Sequence, residues 1–276
     1  MARSMSVTFR TTWSILAMLM LMKGPRLFLL VGCILVTGAP MAMAEPPDPP
    51  KSGLEWATPA VREMQADPFA NPGLFWLEKG RAIFARKSGA ADRACADCHS
   101  PADLEGVAAR YPVVRDGRVV NLERQINDCR QARMEADPLP LESEPMLSLA
   151  LYLRSLSAGR PVDVAVDGAA EPFFERGKAL YRERRGQMNL ACFQCHDERA
   201  GQWVRGEQLS QGQINAYPAY LLRWSGVGST HRRFRFCDDQ RVAEPRPLGS
   251  EAYLALELYL AWRGNGLPVE APAVRR

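Results

Sequence analysis

Cys95-Ala-Asp-Cys98-His99 and, 97 residues further on, Cys192-Phe-Gln-Cys195-His196 are the stretches that decide what kind of molecule this is. Both read C-x-x-C-H, the attachment sequence for haem c, in which two thioethers fix the porphyrin vinyl groups and the adjoining imidazole binds iron. Two other readings compete. Structural zinc needs four ligands, usually drawn from further Cys or spaced His pairs, whereas here a His directly follows the second Cys in both boxes. Disulfides are the usual fate of exported cysteines. Two boxes inside one repeat predict two covalent haem c groups, with His99 and His196 as proximal iron ligands.

The repeat extends outward from the boxes. Glu78-Lys-Gly80-Arg-Ala-Ile-Phe84 precedes the first and Glu175-Arg-Gly177-Lys-Ala-Leu-Tyr181 the second, at the same offset of 97. After each box, Met146-Leu-Ser-Leu-Ala-Leu-Tyr152 and Tyr253-Leu-Ala-Leu-Glu-Leu-Tyr259 match at offset 107, so the second copy gains ten residues between box and last helix. In each first helix a Gly and an aromatic lie four apart on one face, where a missing side chain lets a partner helix cross closely. Gly159-Arg-Pro161 and Gly266-Leu-Pro268 supply stop signals for the last helices. Helix, haem box, loop and final helix, occurring twice, predict an all-α fold of two cytochrome c-like domains, 45–160 and 161–276. The stretch from Val162 to Glu171 reads as the linker, and proline-rich residues 45–60 as extended and poorly packed.

The length of 276 residues allows two domains at roughly 100–150 residues each. The formal charge of +4 comes from the first 44 residues, which hold Arg3, Arg10, Lys23 and Arg26 and no acid. The balanced remainder gives no electrostatic footprint for nucleic acid. Those 44 residues have the layout of an export signal, with Lys23 and Arg26, an apolar run Leu27 to Val36, and Ala42-Met43-Ala44 as the cleavage site. A cleaved signal peptide over 1–44 and a periplasmic location are expected. A lipoprotein box at Leu30-Val31-Gly32-Cys33 and a retained anchor remain as alternatives, although Ile34-Leu35-Val36 continue the apolar core beyond Cys33.

The chemistry depends on the face of each iron opposite its histidine. Met64, Met134, Met146, Met188 and His231 are the conventional candidates in the mature chain. Met146 and Met188 read as core packing. Seven cysteines less Cys33 and the four anchors leave Cys129 and Cys237, one for each haem, in the loops between box and last helix. Axial thiolate on both irons is the reading adopted; a Cys129–Cys237 disulfide and free buried thiols are its alternatives. An anionic ligand favours ferric iron and lowers the potential, which points away from general electron carriage. Cys237 follows His231-Arg232-Arg233-Phe234-Arg235-Phe236. Such a cluster lowers a thiol pKa and suits oxyanions, so it points to an anionic, sulfur-reactive substrate, with propionate binding or a solvated basic loop as the plainer alternatives.

With these residues in view, the chain resembles the SoxA family, the dihaem cytochrome subunits of the periplasmic thiosulfate-oxidising Sox system. The resemblance runs through both boxes, the Cys129 segment and His231 to Cys237. Cys95, Cys98 and His99 place the chain among the dihaem forms. The resemblance implies a SoxX-like monohaem cytochrome partner and L-cysteine S-thiosulfotransferase activity, in which thiosulfate is oxidatively joined to a cysteine of a SoxYZ-like carrier and electrons pass on to a small cytochrome c. It implies Cys237 as the active-site cysteine and Arg233 as the catalytic arginine, and it matches a second family arginine weakly to Arg263. A thiosulfate dehydrogenase forming tetrathionate and a non-enzymatic dihaem electron carrier are the rival functions.

Overall fold

In the computed structural model, which describes residues 49–276, eight α-helices follow one another: α1 (Pro59–Ala66), α2 (Gly73–Ala85), α3 (Leu122–Met134), α4 (Glu144–Ser155), α5 (Glu171–Arg182), α6 (Cys192–His196), α7 (Thr230–Gln240) and α8 (Glu251–Arg263). The export-signal reading of 1–44, with Cys33, lies outside the described residues. Among those residues no helix is long and apolar enough to cross a membrane.

The repeat becomes two helix pairs. α2 crosses α4 at Gly80, where an added Cβ would lie 2.0 Å from the Ser148 carbonyl oxygen, and α5 crosses α8 at Gly177, 2.1 Å from that of Ala255. No side chain fits at such distances, so glycine is what lets the backbones meet. One turn on, Phe84 packs on Tyr152 and Tyr181 on Tyr259, with ring centroids 5.4 and 5.3 Å apart. Ser143 and Ser250 cap α4 and α8 by accepting from the backbone of Met146 and Tyr253, each cap contributing about 1 kcal/mol.

The all-α expectation is corrected by seven short strands. β1 (Val113–Arg115) and β2 (Arg118–Val120) form a hairpin, as do β3 (Trp203–Val204) and β4 (Glu207–Gln208); β5 (Ala219–Leu221) lies between antiparallel β6 (Gly226–Gly228) and parallel β7 (Val274–Arg275). The turns explain the first two. Asp116-Gly117 and Arg205-Gly206 all have positive φ, the backbone of a two-residue turn whose twist matches that of paired strands.

β1–β2 and β5–β6 are themselves repeats. Each follows a Tyr-Pro dipeptide, Tyr111-Pro112 or Tyr217-Pro218, and each runs into a capped helix, α3 behind Asn121 or α7 behind Ser229. Offsets grow from 97 at the boxes to 106 at the tyrosines and 108 at the caps. Most of the second copy's extra length is therefore the β3–β4 hairpin.

Val162 to Glu171 is no loose linker. Val162 and Val164 are buried, and the two copies' end segments pair: Val162 N–H donates to the Leu267 carbonyl, and Gly266 N–H to that of Val162. Ala109, Val119, Val162 and Val164 share one apolar cluster with Phe174, Tyr181 and the inward face of α8. Within 45–60, Ser52 is buried and caps a 3-10 turn, Gly53–Trp56, so part of that segment is packed.

Candidate functional site

Cys129 and Cys237 lie on helices, α3 and α7, where loops were expected. The change matters for the arginines. In a helix residues three or four apart share a face, so Arg233 points away from the face that Arg232 and Arg235 share. Arg232 stacks on Trp224, 4.2 Å from the ring centroid, and Arg235 is exposed. Arg233, Cys237 and Arg241 form one row. Arg241 is a partner that the sequence reading missed, although its spacing of four from Cys237 was there to be read.

His196 is held by a bond from its Nδ1 to the Ser210 carbonyl, 2.8 Å, which leaves Nε2 as the free ring nitrogen. Gly212 lies against the ring so closely that a Cβ there would sit 2.9 Å from His196 Cγ. Cys237 lies within hydrogen-bond reach of His196. Burial alone would raise the Cys237 thiol; that hydrogen bond and the charges of Arg233, His196 and Arg241 outweigh it, and the net shift is downward. Burial pushes the anchor thiols the other way, Cys192 to about 12 and Cys95 and Cys195 upward. Two thiols and an imidazole with its tautomer set are the donors that haem c attachment uses, and a thiolate-prone sulfur beside them can serve as a further iron ligand, so these residues fit that group.

Asp238, fully buried behind Cys237, accepts from Arg185 Nη1 at 3.2 Å, from Arg241 Nε at 2.9 Å and from the Tyr253 hydroxyl at 2.6 Å. These bonds fix the end of α7 against α8 and the box. Arg263 is buried too. It pairs with Asp197 at 2.6 Å and stacks over Tyr181, so it braces the residue after His196.

The first copy is more open. Cys95 is half-buried, and Cys98 and His99 are exposed. Cys129 acts on Cys95 electrostatically and accepts a hydrogen bond from Gln125 Nε2 at 3.1 Å. All six described cysteines are free, and each of Cys129 and Cys237 stands beside the box of its own half, not paired with the other. His231 is buried, accepts from Gly249 N–H at 3.1 Å, and contacts Glu257 at 3.0 Å. Met146 is core, as expected, but Met188 is 57% exposed, against the packing reading.

A family model described as "SoxA/TsdA, cytochrome c domain" matches residues 79–162. The L-cysteine S-thiosulfotransferase subunit SoxA of Pseudaminobacter salicylatoxidans is 39% identical over 88% of this chain and 86% of its own length. Its namesake from Paracoccus pantotrophus is 35% identical over 87% and 83%. The crystal structure of SoxXA from P. pantotrophus superposes with a TM-score of 0.80 at 35% identity, covering 82% of this chain and 87% of that one.

Proposed function

The chain belongs to the SoxA family of cytochrome c subunits, and on that premise we propose that it catalyses the oxidative joining of thiosulfate to a cysteine of a SoxYZ-like carrier, the L-cysteine S-thiosulfotransferase activity for which its relatives are named. The observation that carries this reading is Arg233, which stands a helical turn before the down-shifted thiol of Cys237 and whose guanidinium has no carboxylate partner among the described residues. Arg223 and Arg275 nearby are committed to Glu207 and Glu270.

Arg233 binds the dianion, its planar fork matching the oxygens of the sulfonate end. The Cys237 thiolate then bonds the outer sulfur, giving Cys–S–S–SO3⁻ and releasing two electrons. A carrier thiolate attacks the outer sulfur, takes the S–SO3⁻ group and returns Cys237 as thiolate. Haem c supplies one-electron redox chemistry, so a two-electron coupling calls for a second acceptor, the part assigned to a SoxX-like monohaem partner with a small cytochrome c beyond it. We assign two haem c groups, one to Cys95, Cys98, His99 and Cys129 within 45–160, the other to Cys192, Cys195, His196 and Cys237 within 161–276. The chain acts in the periplasm after removal of residues 1–44.

Cys237→Ala should abolish thiosulfate- and carrier-dependent reduction of the partner cytochrome while haem staining of the chain persists; retained turnover overturns the reading. Tetrathionate formed without any carrier would reassign the protein as a thiosulfate dehydrogenase. Electron paramagnetic resonance of the oxidised protein should show two low-spin His/thiolate signals, and His/Met signals would overturn the axial assignment.

A further inference from the structure

The internal repeat supplies a template for the second site. In the first copy three residues form a closed chain: the Tyr111 hydroxyl donates to Gln125 Oε1 at 3.3 Å, and Gln125 Nε2 donates to Cys129 Sγ at 3.1 Å. Arg115 completes it, donating to Gln125 and to the Tyr111 oxygen. Gln125 stands four residues before Cys129, one helical turn, so its side chain reaches the sulfur.

Carried through the repeat, Tyr111 becomes Tyr217 at offset 106, while Gln125 becomes Arg233 and Cys129 becomes Cys237, both at 108. The two settings are alike. Each tyrosine precedes a proline and an antiparallel hairpin, and each hairpin enters a helix whose cap accepts from the third residue on, Asn121 from Arg124 N–H at 3.0 Å and Ser229 from Arg232 N–H at 3.1 Å. What changes is the middle residue. Glutamine offers one acceptor and one donor group and so joins tyrosine to sulfur; arginine offers donors only and cannot accept from a tyrosine hydroxyl. The chain that closes in the first copy is open in the second. The Arg233 side chain has neither salt bridge nor hydrogen bond among the described residues and stacks on the face of Phe236 at 4.9 Å. Leu221, at the position of Arg115, supplies no polar group to replace the lost partner.

We propose that Tyr217 is a substrate-binding residue of the Cys237 site, donating its hydroxyl proton to a sulfonate oxygen of the thiosulfate that Arg233 holds. Tyr217 and Arg233 act on one another and Cys237 acts on both, which places the three within one electrostatic neighbourhood; Arg275 and Arg223 also act on the tyrosine. Burial raises the Tyr217 phenol, so it stays a donor at neutral pH. A tetrahedral oxyanion end satisfies the cation and the hydroxyl together through separate oxygens. In the first copy the residue a turn before the sulfur is the uncharged Gln125, with its acceptor and its donor both engaged.

The inference rests on the proposed function, and the test separates the two. Thiosulfate binding to the oxidised haem-loaded complex is measured by calorimetry for wild type, Tyr217→Phe, Arg233→Ala and Tyr111→Phe, with the low-spin resonance signals recorded for each. Tyr217→Phe is expected to weaken binding about tenfold or more, the order of one hydrogen bond to a charged group, with the signals unchanged and Tyr111→Phe binding as wild type. Normal affinity in Tyr217→Phe beside weakened Arg233→Ala sinks the tyrosine and spares the function. Normal affinity in both removes the anion site itself. Weakened binding with an altered signal for the Cys237 site would assign Tyr217 a structural role and overturn the proposal.

Discussion

The position one helical turn before the sulfur sets the two thiol sites apart. Four residues before the sulfur stands Gln125 in the first copy and Arg233 in the second, on equivalent helices behind equivalent caps. The glutamine spends its donor on Cys129 at 3.1 Å, which makes that sulfur a satisfied acceptor. Gln125→Ala removes the donor and should shift the resonance signal of the Cys129 site, leaving the Cys237 signal and turnover unchanged; an unmoved signal would mean that the bond has no influence there. A similar exchange follows the sulfurs. Arg130 donates to Ser88 Oγ at 3.3 Å, whereas Asp238 accepts from Arg185, the residue at the position of Ser88. The residue kinds on which the proposed second site rests were visible in the sequence. Which arginine of the cluster faces the sulfur was not, because that depends on the segment being helical.

At the scale of elements, the glycine crossings carry the architecture. A Cβ at Gly177 would lie 2.1 Å from a backbone oxygen of α8, and backbone cannot step aside as a flexible side chain can. Gly177→Ala should cost about 3 kcal/mol, the upper end for overpacking, read as a lower urea midpoint of the loaded protein; a loss within about 0.5 kcal/mol would show that the helices part easily. Both crossings and their aromatic partners were legible in the sequence, since a Gly and an aromatic four apart is a local pattern. The hairpins were partly legible. Val113-Val-Arg-Asp116-Gly117-Arg-Val-Val120 carries a strand–turn–strand signal that the cytochrome reading passed over, and Asp116-Gly117 forms the turn. β3 and β4, two residues each, are too short to leave a period.

Across the whole molecule the copies interlock around buried charge. Glu123 near the start of α3 and His231 near the start of α7 hold the same place in the repeat, offset 108, and both face Glu257 of α8. Asn121 Nδ2 also donates to Glu257 at 2.9 Å; Glu142 faces the cluster from the chain before α4, and Arg154 from α4 itself. Burial and the neighbouring Glu257 push Glu123 up to about 7. Burial works to lower His231, but the bond and charge of Glu257, with Glu123 and Glu142, raise it. A folded pKa above the unfolded value means stability that is full at low pH and lost as pH rises through the folded pKa. Glu123 therefore predicts thermal stability that falls between about pH 4.5 and about pH 7, as it adds a second buried anion, and His231 extends the fall above pH 6.5, as it leaves Glu257 unpaired. Glu123→Gln should flatten the acid side of that slope; an unchanged slope would place the loss elsewhere.

Taken by itself, the sequence determined the motifs and the repeat: which cysteines and histidines form the two C-x-x-C-H boxes, which two cysteines are left over, and which helices cross at glycine. These depend on residues a few positions apart, and short range is what a linear pattern records. Tertiary structure decided how the copies differ. It turned an arginine-rich stretch into one inward-facing guanidinium, showed most of the extra residues as a hairpin beside the second site, and made the supposed linker a paired, buried segment. It also joined Glu123, His231 and Glu257 across as many as 134 residues of chain. Those outcomes follow from which face of each helix is buried against a distant element, a choice made by packing free energy summed over the whole core.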